Sequence, residues 1–447
     1  MNVGAGVLMN SAKSDASSFP RLLIVSHNPL SRVNNNGKTL LSFFKGWPKE
    51  SLFQLYLTLD YPDFEVAGSY FRISDNDILR SVLDEHYVPG QIIQREEYSS
   101  QSDTQEKQKL FYRVVRFFFV NRVPLALVIR TLLWRKGAWK NEKLDAWLAQ
   151  VAPDVVFFQS SNVSATFDLV SHICHSRCIP LFMQTTDDYL GARISIDPFF
   201  WLYRHDMNKT YRAAVQKAEM VVVIGEKMRA EYASKFAGQY FVAMNSVEVD
   251  KGPTRITALP TKRSVVVSYF GNLGLGRLET IVKLAHNMKH HGFNFRVYSM
   301  MKPSKRQYRK IKSASNLQFM GGVINEEFDI AVSKADILLH VESFRRRQKH
   351  ITRLSLSTKI PEYLASGKTV LACGPSDIAS IDYLLSTYTA VVITKLGSRN
   401  VEKAVAELRD TMHRKRMIDC ALKTARDNHD VETIREHLTA AITASVG

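Results

Sequence analysis

Short runs of β-branched, aliphatic and aromatic residues recur along this chain, and each is followed by a stretch whose apolar positions have helical spacing. In the first half they are RLLIVSHN, SLFQLYLT, DVVFFQS, PLFMQTT and MVVVIGE; in the second, SVVVSYFGN, FNFRVYSM, LQFMGG, DILLHVES, KTVLACGP and AVVITKL. Such alternation selects a parallel sheet flanked by helices. A chain of 447 residues is longer than one core usually organises. Between the halves lies DKGPTRITALPTKRS, Asp250 to Ser264, which is rich in Pro, Gly, Thr and Lys and lacks apolar periodicity, so it reads as a linker. The expectation is α/β: two doubly wound, Rossmann-like parallel-sheet domains facing across a cleft. Residues 1–20 form a mobile tail, 21–255 the first domain, 262–425 the second, and 426–447 a C-terminal helix crossing back toward the first.

Composition narrows the partners. With 45% hydrophobic and 23% charged residues the chain can bury ordinary cores without metals or disulfides. A formal charge of +17 favours an acidic partner: nucleic acid, an anionic membrane or a phosphorylated small molecule. No groove-reading or base-stacking module is recognisable, which disfavours nucleic acid. Four cysteines, Cys174, Cys178, Cys373 and Cys420, make no disulfide framework and point to a reducing, cytoplasmic setting. Cys174 and Cys178 share a helix face but lack partners for a zinc site. The first twenty residues have no long apolar core, unlike a signal peptide. The most apolar stretch, Phe117 to Trp134, is interrupted by Asn121, Arg122, Pro124 and Arg130, so it does not span a membrane. The wider helical stretch from Asp103 to Gln150 reads either as a buried helix pair whose arginines reach out to water, or as a surface that also docks on anionic lipid.

In open parallel sheets ligands gather beyond the carboxyl ends of the strands. That filter selects Ser26 to Asn28, the loop SRVNNNGK, Gln159 to Asn162 and Asp187 to Tyr189 in the first half, and GNLGLGR, GGV, HVES and STKIPEY in the second. The Gly-Lys-Thr of the first loop is not an NTPase phosphate loop, because Arg32 stands where its first glycine belongs. Gly37 is a turn where a ligand approaches backbone, or a simple helix start. Gly271, Gly274 and Gly276 spell G-x-x-G-x-G, which is not the dinucleotide fingerprint; Arg277 after the turn is either a partner for phosphate oxygens or a solvated arginine beside a tight turn. In STKIPEY a helix beginning near Ser357 or Thr358 offers free amides, Lys359 adds a positive charge, and Glu362 one turn in can accept two ribose hydroxyls. Basic residues of Ser343 to Arg353, notably Arg345 and Arg346, can grip an acceptor phosphate or simply be solvated. Asp187 and Asp188 point oppositely in extended chain, so no shared metal ion is expected; one of them contacts sugar or acceptor. His27 ends a strand facing the cleft.

The run STKIPEYLASGKTVLACGP resembles the signature of retaining GT-B glycosyltransferases, the large group of bacterial lipopolysaccharide, capsule and exopolysaccharide enzymes. YFGNLGLGR, LQFMGGVINEEFDIAVSKADILLH and ARDNHD resemble later pieces of that family in the right order, and SHNPLSRVNNNGK and QTTDDYL are similar to earlier ones; together they cover about Arg21 to Ile442. The resemblance implies a GT-B fold and transfer of a sugar from a nucleoside-diphosphate donor to a glycan or lipid-linked acceptor, with retention, no metal and no further cofactor. It implies that Glu362 holds the donor ribose, that Lys359 and Arg277 face the diphosphate, that Gly322 and Val323 border the base, that Gly37 approaches from the opposite domain, and that Asn272 and Thr358 also bind the nucleotide sugar. Asp188, His27, Lys359 and Arg277 are then the candidate catalytic set, with Asp187, Arg345 and Arg346 toward the acceptor. One departure stands out: the family carries a second glutamate where this chain has Leu354, so its donor contact is absent or falls to Glu342 or Ser343. Two rivals remain, a nucleotide-sugar epimerase of the same architecture and a non-catalytic homologue that binds membrane or partner proteins.

Overall fold

A computed structural model describes residues 19–31, 35–95, 123–188, 190–191, 195–247, 259–260 and 263–446. The N-terminal tail up to residue 18, Arg32, the stretch from Phe117 to Arg122, Tyr189 and most of the linker from Asp250 lie outside them.

The first sheet has eight strands, β1 (Leu22–Ser26), β2 (Leu52–Tyr56), β3 (Ser69–Arg72), β4 (Gln91–Ile92), β5 (Val155–Gln159), β6 (Leu181–Thr185), β7 (Ala218–Val223) and β8 (Tyr240–Val242), in the order β4-β3-β2-β1-β5-β6-β7-β8. All pairs are parallel except β3 with the short edge strand β4. β1, β2, β5 and β6 are buried at every position, as expected of strands covered by helices on both faces. The second sheet, also parallel, orders β9 (Val265–Phe270), β10 (Phe293–Tyr298), β11 (Leu317–Gly321), β12 (Ile337–Val341), β13 (Thr369–Cys373) and β14 (Val391–Ile393) as β11-β10-β9-β12-β13-β14.

In each sheet the chain first winds outward on one side and then returns to the other. The reversal falls between β1 and β5 in the first domain and between β9 and β12 in the second. Loops leaving two neighbouring strands there must diverge to opposite faces, which opens a crevice at their carboxyl ends. The two crevices are bordered by Ser26–Asn28 with Gln159–Asn162, and by Gly271–Arg277 with Glu342–Arg345.

The domains are joined by more than the linker. One apolar cluster contains Leu190, Tyr232 and Met244 of the first domain together with Leu354, Leu356, Ile360 and Ile378 of the second. The helix Thr411–His429 begins on an Asp410 cap that accepts the Met412 and His413 amides, and it packs on the helix Lys359–Ala365. At its end His429 is fully buried. Its Nδ1 donates to the Asn245 carbonyl at 2.8 Å, its Nε2 accepts from the Tyr383 hydroxyl at 2.9 Å, and burial lowers its pKa to about 4, so the ring is neutral. After Asp430 the helix Val431–Ala444 returns to the first domain: Ile434, Leu438 and Ile442 pack with Leu22, Leu40 and Phe43, and Arg435 donates to the Ser42 carbonyl.

The helix Pro124–Lys136 starts with proline at its first position, where the missing N–H costs nothing. It buries Leu127, Arg130, Thr131 and Trp134. Arg130 does not reach out to water: its Nε and the Trp134 Nε1 both donate to Asp75 Oδ1, at 2.8 and 2.7 Å. The opposite face, Leu125, Ile129 and Leu132, is exposed.

Candidate functional site

The second-domain crevice has a buried polar floor. Gly276 adopts φ +75° before the helix Arg277–Met288, and a β-carbon there would collide with Ser343 Oγ, so the loop and the end of β12 are in contact. Within the turn, Asn272 Oδ1 accepts the Gly274 amide at 2.6 Å and its carbonyl accepts the Tyr269 hydroxyl. Asn272 therefore shapes the turn as an Asx cap does. Arg277 Nη2 donates to Glu342 Oε1 at 2.8 Å. Burial works against the Arg277 charge, but the Glu342 carboxylate outweighs it and raises its pKa; burial pushes Glu342 upward against the pull of Arg277. Glu342 Oε2 is buried and finds no hydrogen-bond partner among the described residues. Behind it His340 bonds the Ser380 hydroxyl through Nε2 and is held neutral by burial, with its pKa near 3. Arg277, expected as a phosphate partner, thus meets the crevice with a guanidinium already oriented by a carboxylate.

Beside this floor the helix Lys359–Ala365 follows Thr358, whose backbone is already helical and whose side chain caps nothing. Lys359 Nζ lies 4.3 Å from the Phe328 ring centroid and 2.8 Å from Glu362 Oε2. Phe328 packs edge-on against Phe270, the last residue of β9, so Lys359 and Glu362 stand at the mouth of the crevice. Both are about one-third exposed. The expected phosphate cation and ribose acceptor are therefore paired with each other, in a contact that solvent screens and a ligand can replace at little cost. Gly322 is exposed beyond β11 and lies against Met300, whose exposed side chain makes an apolar shelf there, and Val323 packs against the cross-domain apolar cluster. Arg345 is exposed, 3.7 Å from Glu279, and Arg346 is exposed at the start of the helix Arg346–Thr352.

On the first-domain side the loop after β1 is fastened from below. Gln54 accepts the Leu30 amide and donates to Ser26 Oγ, and the Ser26 hydroxyl donates to the Asn28 carbonyl. His27 sits half-buried above it and its carbonyl accepts the Leu57 amide. Gly37 is demanded by the chain itself: a β-carbon would lie 2.7 to 2.9 Å from backbone atoms of Pro29 and Ser31. Its requirement is met without a ligand.

Asp188 has a different place from the one expected. Its side chain is 1% exposed, accepting Arg353 Nη2 at 2.8 Å and the Tyr232 hydroxyl at 3.1 Å. The same guanidinium bonds Glu231 through both nitrogens, with Nη2 to Oε1 at 2.7 Å. This Arg353 fork lowers the Glu231 pKa to about 2, and the Glu231 bonds raise that of Arg353 in turn. Asp188 is thus an interdomain partner rather than a sugar contact, because its oxygens are taken and water is excluded. Its neighbour Asp187 is exposed, so the two carboxylates diverge. The basic run before Leu354 is a signal for Arg353; nothing local marks Glu231 or Tyr232, which are distant in sequence. Leu354 itself is 1% exposed inside the cross-domain cluster. A cavity of about 430 Å³ on the first domain, lined by Phe167, Cys174 and Lys209, shares no residue with these crevices.

No protein-family model matches the sequence, and no curated protein matches it. Solved structures do match. A glycosyltransferase from Rickettsia africae superposes with a TM-score of 0.59 at 11% identity, covering 95% of this chain and 99% of that one. Alr3699/HepE of Anabaena, in complex with UDP, gives 0.58 at 11% identity, covering 95% and 100%. A UDP-forming α,α-trehalose-phosphate synthase from Burkholderia xenovorans, in complex with glucose-6-phosphate, gives 0.57 at 10% identity over 94% and 100%. The chain has the GT-B fold. In a GT-B frame the crevice beyond β9 and β12 belongs to the second domain and faces that beyond β1 and β5 in the first, with the Arg353 fork bridging the domains between them.

Proposed function

We propose that this protein transfers a sugar from a nucleoside-diphosphate sugar to an acceptor, with the donor held by the second domain and the acceptor approaching from the first. The observation that carries the reading is the Lys359–Glu362 pair at the mouth of the β9–β12 crevice, over a polar floor in which Glu342 orients Arg277, together with the apolar shelf that Met300 makes against Gly322. A base rests on the shelf, beside Gly322. Glu362 turns from Lys359 to accept ribose hydroxyls, and the ammonium of Lys359, released from that pairing, moves onto the diphosphate.

As the glycosidic bond of the donor breaks, negative charge grows on the leaving nucleoside diphosphate. Lys359 and Arg277 meet that charge in a partly dry site, where such contacts count for more than in water. The orientation of Arg277 by Glu342 means that little reorganisation accompanies the step. His27 and Gly37 face the reacting sugar from the first domain, while Thr358 and Asn272 shape the phosphate rim and Arg345 and Arg346 meet an anionic acceptor, with Asp187 at its edge. Retention at the anomeric carbon, a hexosyl donor, freedom from metal and a role in bacterial surface polysaccharide synthesis at the cytoplasmic membrane face follow from the resemblance in sequence. The buried Leu354 favours a second reading, a homologue that binds nucleotide without turning it over.

The test is a thermal-shift screen of UDP, GDP, ADP, CMP and dTDP and their sugars on wild type and Glu362→Ala. One nucleoside diphosphate should raise the wild-type midpoint and leave the variant's unmoved. Absence of any shift would sink the donor site; a shift without release of free nucleoside diphosphate in the presence of acceptors would favour the second reading.

A further inference from the structure

Strands β1, β2 and β3 each end on a polar residue, Ser26, Tyr56 and Arg72. These stand in register, so Tyr56 has Ser26 on one side and Arg72 on the other, with all three side chains on one face of the sheet. Thr58 joins them. The Leu57 amide still donates to the His27 carbonyl, and Leu57 packs in the apolar cluster opposite that of Tyr56, so the chain returns Thr58 to the side of Tyr56.

Three groups of this set lack a hydrogen-bond partner among the described residues: the Tyr56 hydroxyl, the Thr58 hydroxyl and Arg72 Nε, each of them buried. Tyr56 is fully buried and Thr58 is 6% exposed, whereas Arg72 is partly exposed, so the group opens to solvent on the Arg72 side. Their neighbours are satisfied. Ser26 accepts from Gln54 and donates to the Asn28 carbonyl, and the Tyr70 hydroxyl donates to the Asp63 carbonyl while accepting the Ala67 amide. The unpaired groups are therefore not a general looseness of this end of the sheet. The frame around them is pinned as well, because the Asp63 amide donates to the Leu30 carbonyl at 2.8 Å and ties the β2–β3 loop to the β1 loop.

Buried polar groups without partners cost stability and are rare in folded chains. All three here can donate, and one belongs to a permanent cation. Arg72 makes no ion pair with a carboxylate among the described residues. Burial pushes the Tyr56 pKa well above its ordinary value, Arg72 beside it pulls the other way without cancelling the rise, and the exposed Asp60 adds the smallest upward push. The phenol therefore keeps its proton and donates. A metal ion would be repelled by this set, whereas an oxyanion, which only accepts, matches it.

We infer that Tyr56, Thr58 and Arg72 form an oxyanion-binding site at the carboxyl ends of β2 and β3, which takes the phosphate or carboxylate of a small molecule. Two strand spacings, about 10 Å, separate Arg72 from Ser26 at the border of the first-domain crevice. Resting on the transferase reading above, the molecule is an acceptor, a small acidic or phosphorylated sugar whose charged end lies on Arg72 and whose reacting hydroxyl reaches the crevice beside Ser26. Arg345 and Arg346, exposed on the other domain, are no part of this site.

The experiment is calorimetric titration of the full chain, at constant ionic strength, with inorganic phosphate and in separate arms with glucose 6-phosphate, glucuronate and glucose. Wild type should bind phosphate saturably and at least one of the charged sugars about tenfold or more tighter than glucose. Whichever charged sugar binds tighter identifies the oxyanion. Arg72→Met should abolish the phosphate binding, Arg72→Lys should keep part of it, and Thr58→Val should weaken it by about tenfold. Lys209→Met, exposed elsewhere on the first domain, and Lys359→Met, in the donor crevice, should bind phosphate as wild type. Should Arg72→Met lose its fold by circular dichroism, Thr58→Val and Tyr56→Phe, each of which removes one hydroxyl, carry the comparison. A wild type that binds no oxyanion, that binds glucose as tightly as the charged sugars, or whose phosphate binding survives these variants unchanged would overturn the proposal. Midpoint shifts with nucleotide on the same variants separate the two readings. Nucleotide binding without oxyanion binding would leave the donor site and remove this one; the reverse would remove the transferase reading and leave an oxyanion site on the first domain.

Discussion

Two ion pairs of the second domain, six residues apart in sequence, have opposite settings. Arg353 reaches into the first domain and is clamped by Asp188 and Glu231, with Asp188 sealed from water and Leu354 packed directly behind. Lys359 and Glu362 pair within one helical turn, partly open to solvent. In the first, charge holds two domains together, and removing a partner strands a buried carboxylate. In the second, charge is held loosely where a ligand can compete for it. The difference separates the closed back of the cleft from its open mouth, and it explains how a leucine can stand at position 354: that position belongs to the back.

The sharpest way to break this distinction is to put the family's glutamate back. Leu354→Glu should destabilise the chain by about 4 kcal/mol, because a carboxyl group would enter an apolar cluster with no hydrogen-bonding partner arranged for it. Chemical denaturation measures the loss. A glutamate tolerated without cost would mean that position 354 faces the cleft mouth after all.

Arg353→Met should cost about 3 kcal/mol near neutral pH, through the unpaired Asp188 it leaves behind. Acid should erode the same contact in wild type. Glu231 has its pKa lowered from 4.5 to about 2, chiefly by its hydrogen bonds with Arg353. A carboxylate with a depressed folded-state pKa contributes its full stability above the unfolded value and loses it as pH falls through the folded one. Glu231→Gln should therefore be less stable than wild type at about pH 6, with the gap narrowing from roughly pH 4.5 toward pH 2. A gap that stays constant over that window would show that Arg353 does not hold Glu231 in its charged form.

Much of this architecture is legible because buried strands advertise themselves. LLIVS, VVFFQ and TVLAC are continuous apolar runs, and the rule that ligands gather at their carboxyl ends picks out the loops that border both crevices. What the sequence hides are contacts between distant residues. Asp188 looks like a sugar contact because it follows a strand, yet it meets Arg353 from 165 positions away. Arg277 looks free because its partner is far along the chain; Glu342 lies 65 positions on. Gly37 looks like a place for ligand and is required by the backbone of Pro29 and Ser31. The helix Pro124–Lys136 is ambiguous for a physical reason: both its faces carry apolar residues, and only the packing of Trp134 and Arg130 on Asp75 decides which is inside.

The smallest effect on stability should come from the open pair. Lys359→Met removes a cation that is about one-third exposed, paired within its own helix and resting on the Phe328 ring, where methionine can still pack. Exposed pairs of this kind contribute roughly 0–1 kcal/mol, so the denaturation midpoint should scarcely move. The ligand sees a different residue. Loss of a charge-assisted contact to a diphosphate should weaken nucleotide affinity by about tenfold, the lower end of what hydrogen bonds to charged groups contribute. Calorimetry with the nucleotide found in the thermal-shift screen measures this directly. If Lys359→Met were instead destabilised as much as Arg353→Met while keeping its affinity, the mouth and the back of the cleft would have exchanged roles, and the donor would have to be sought elsewhere in the second domain.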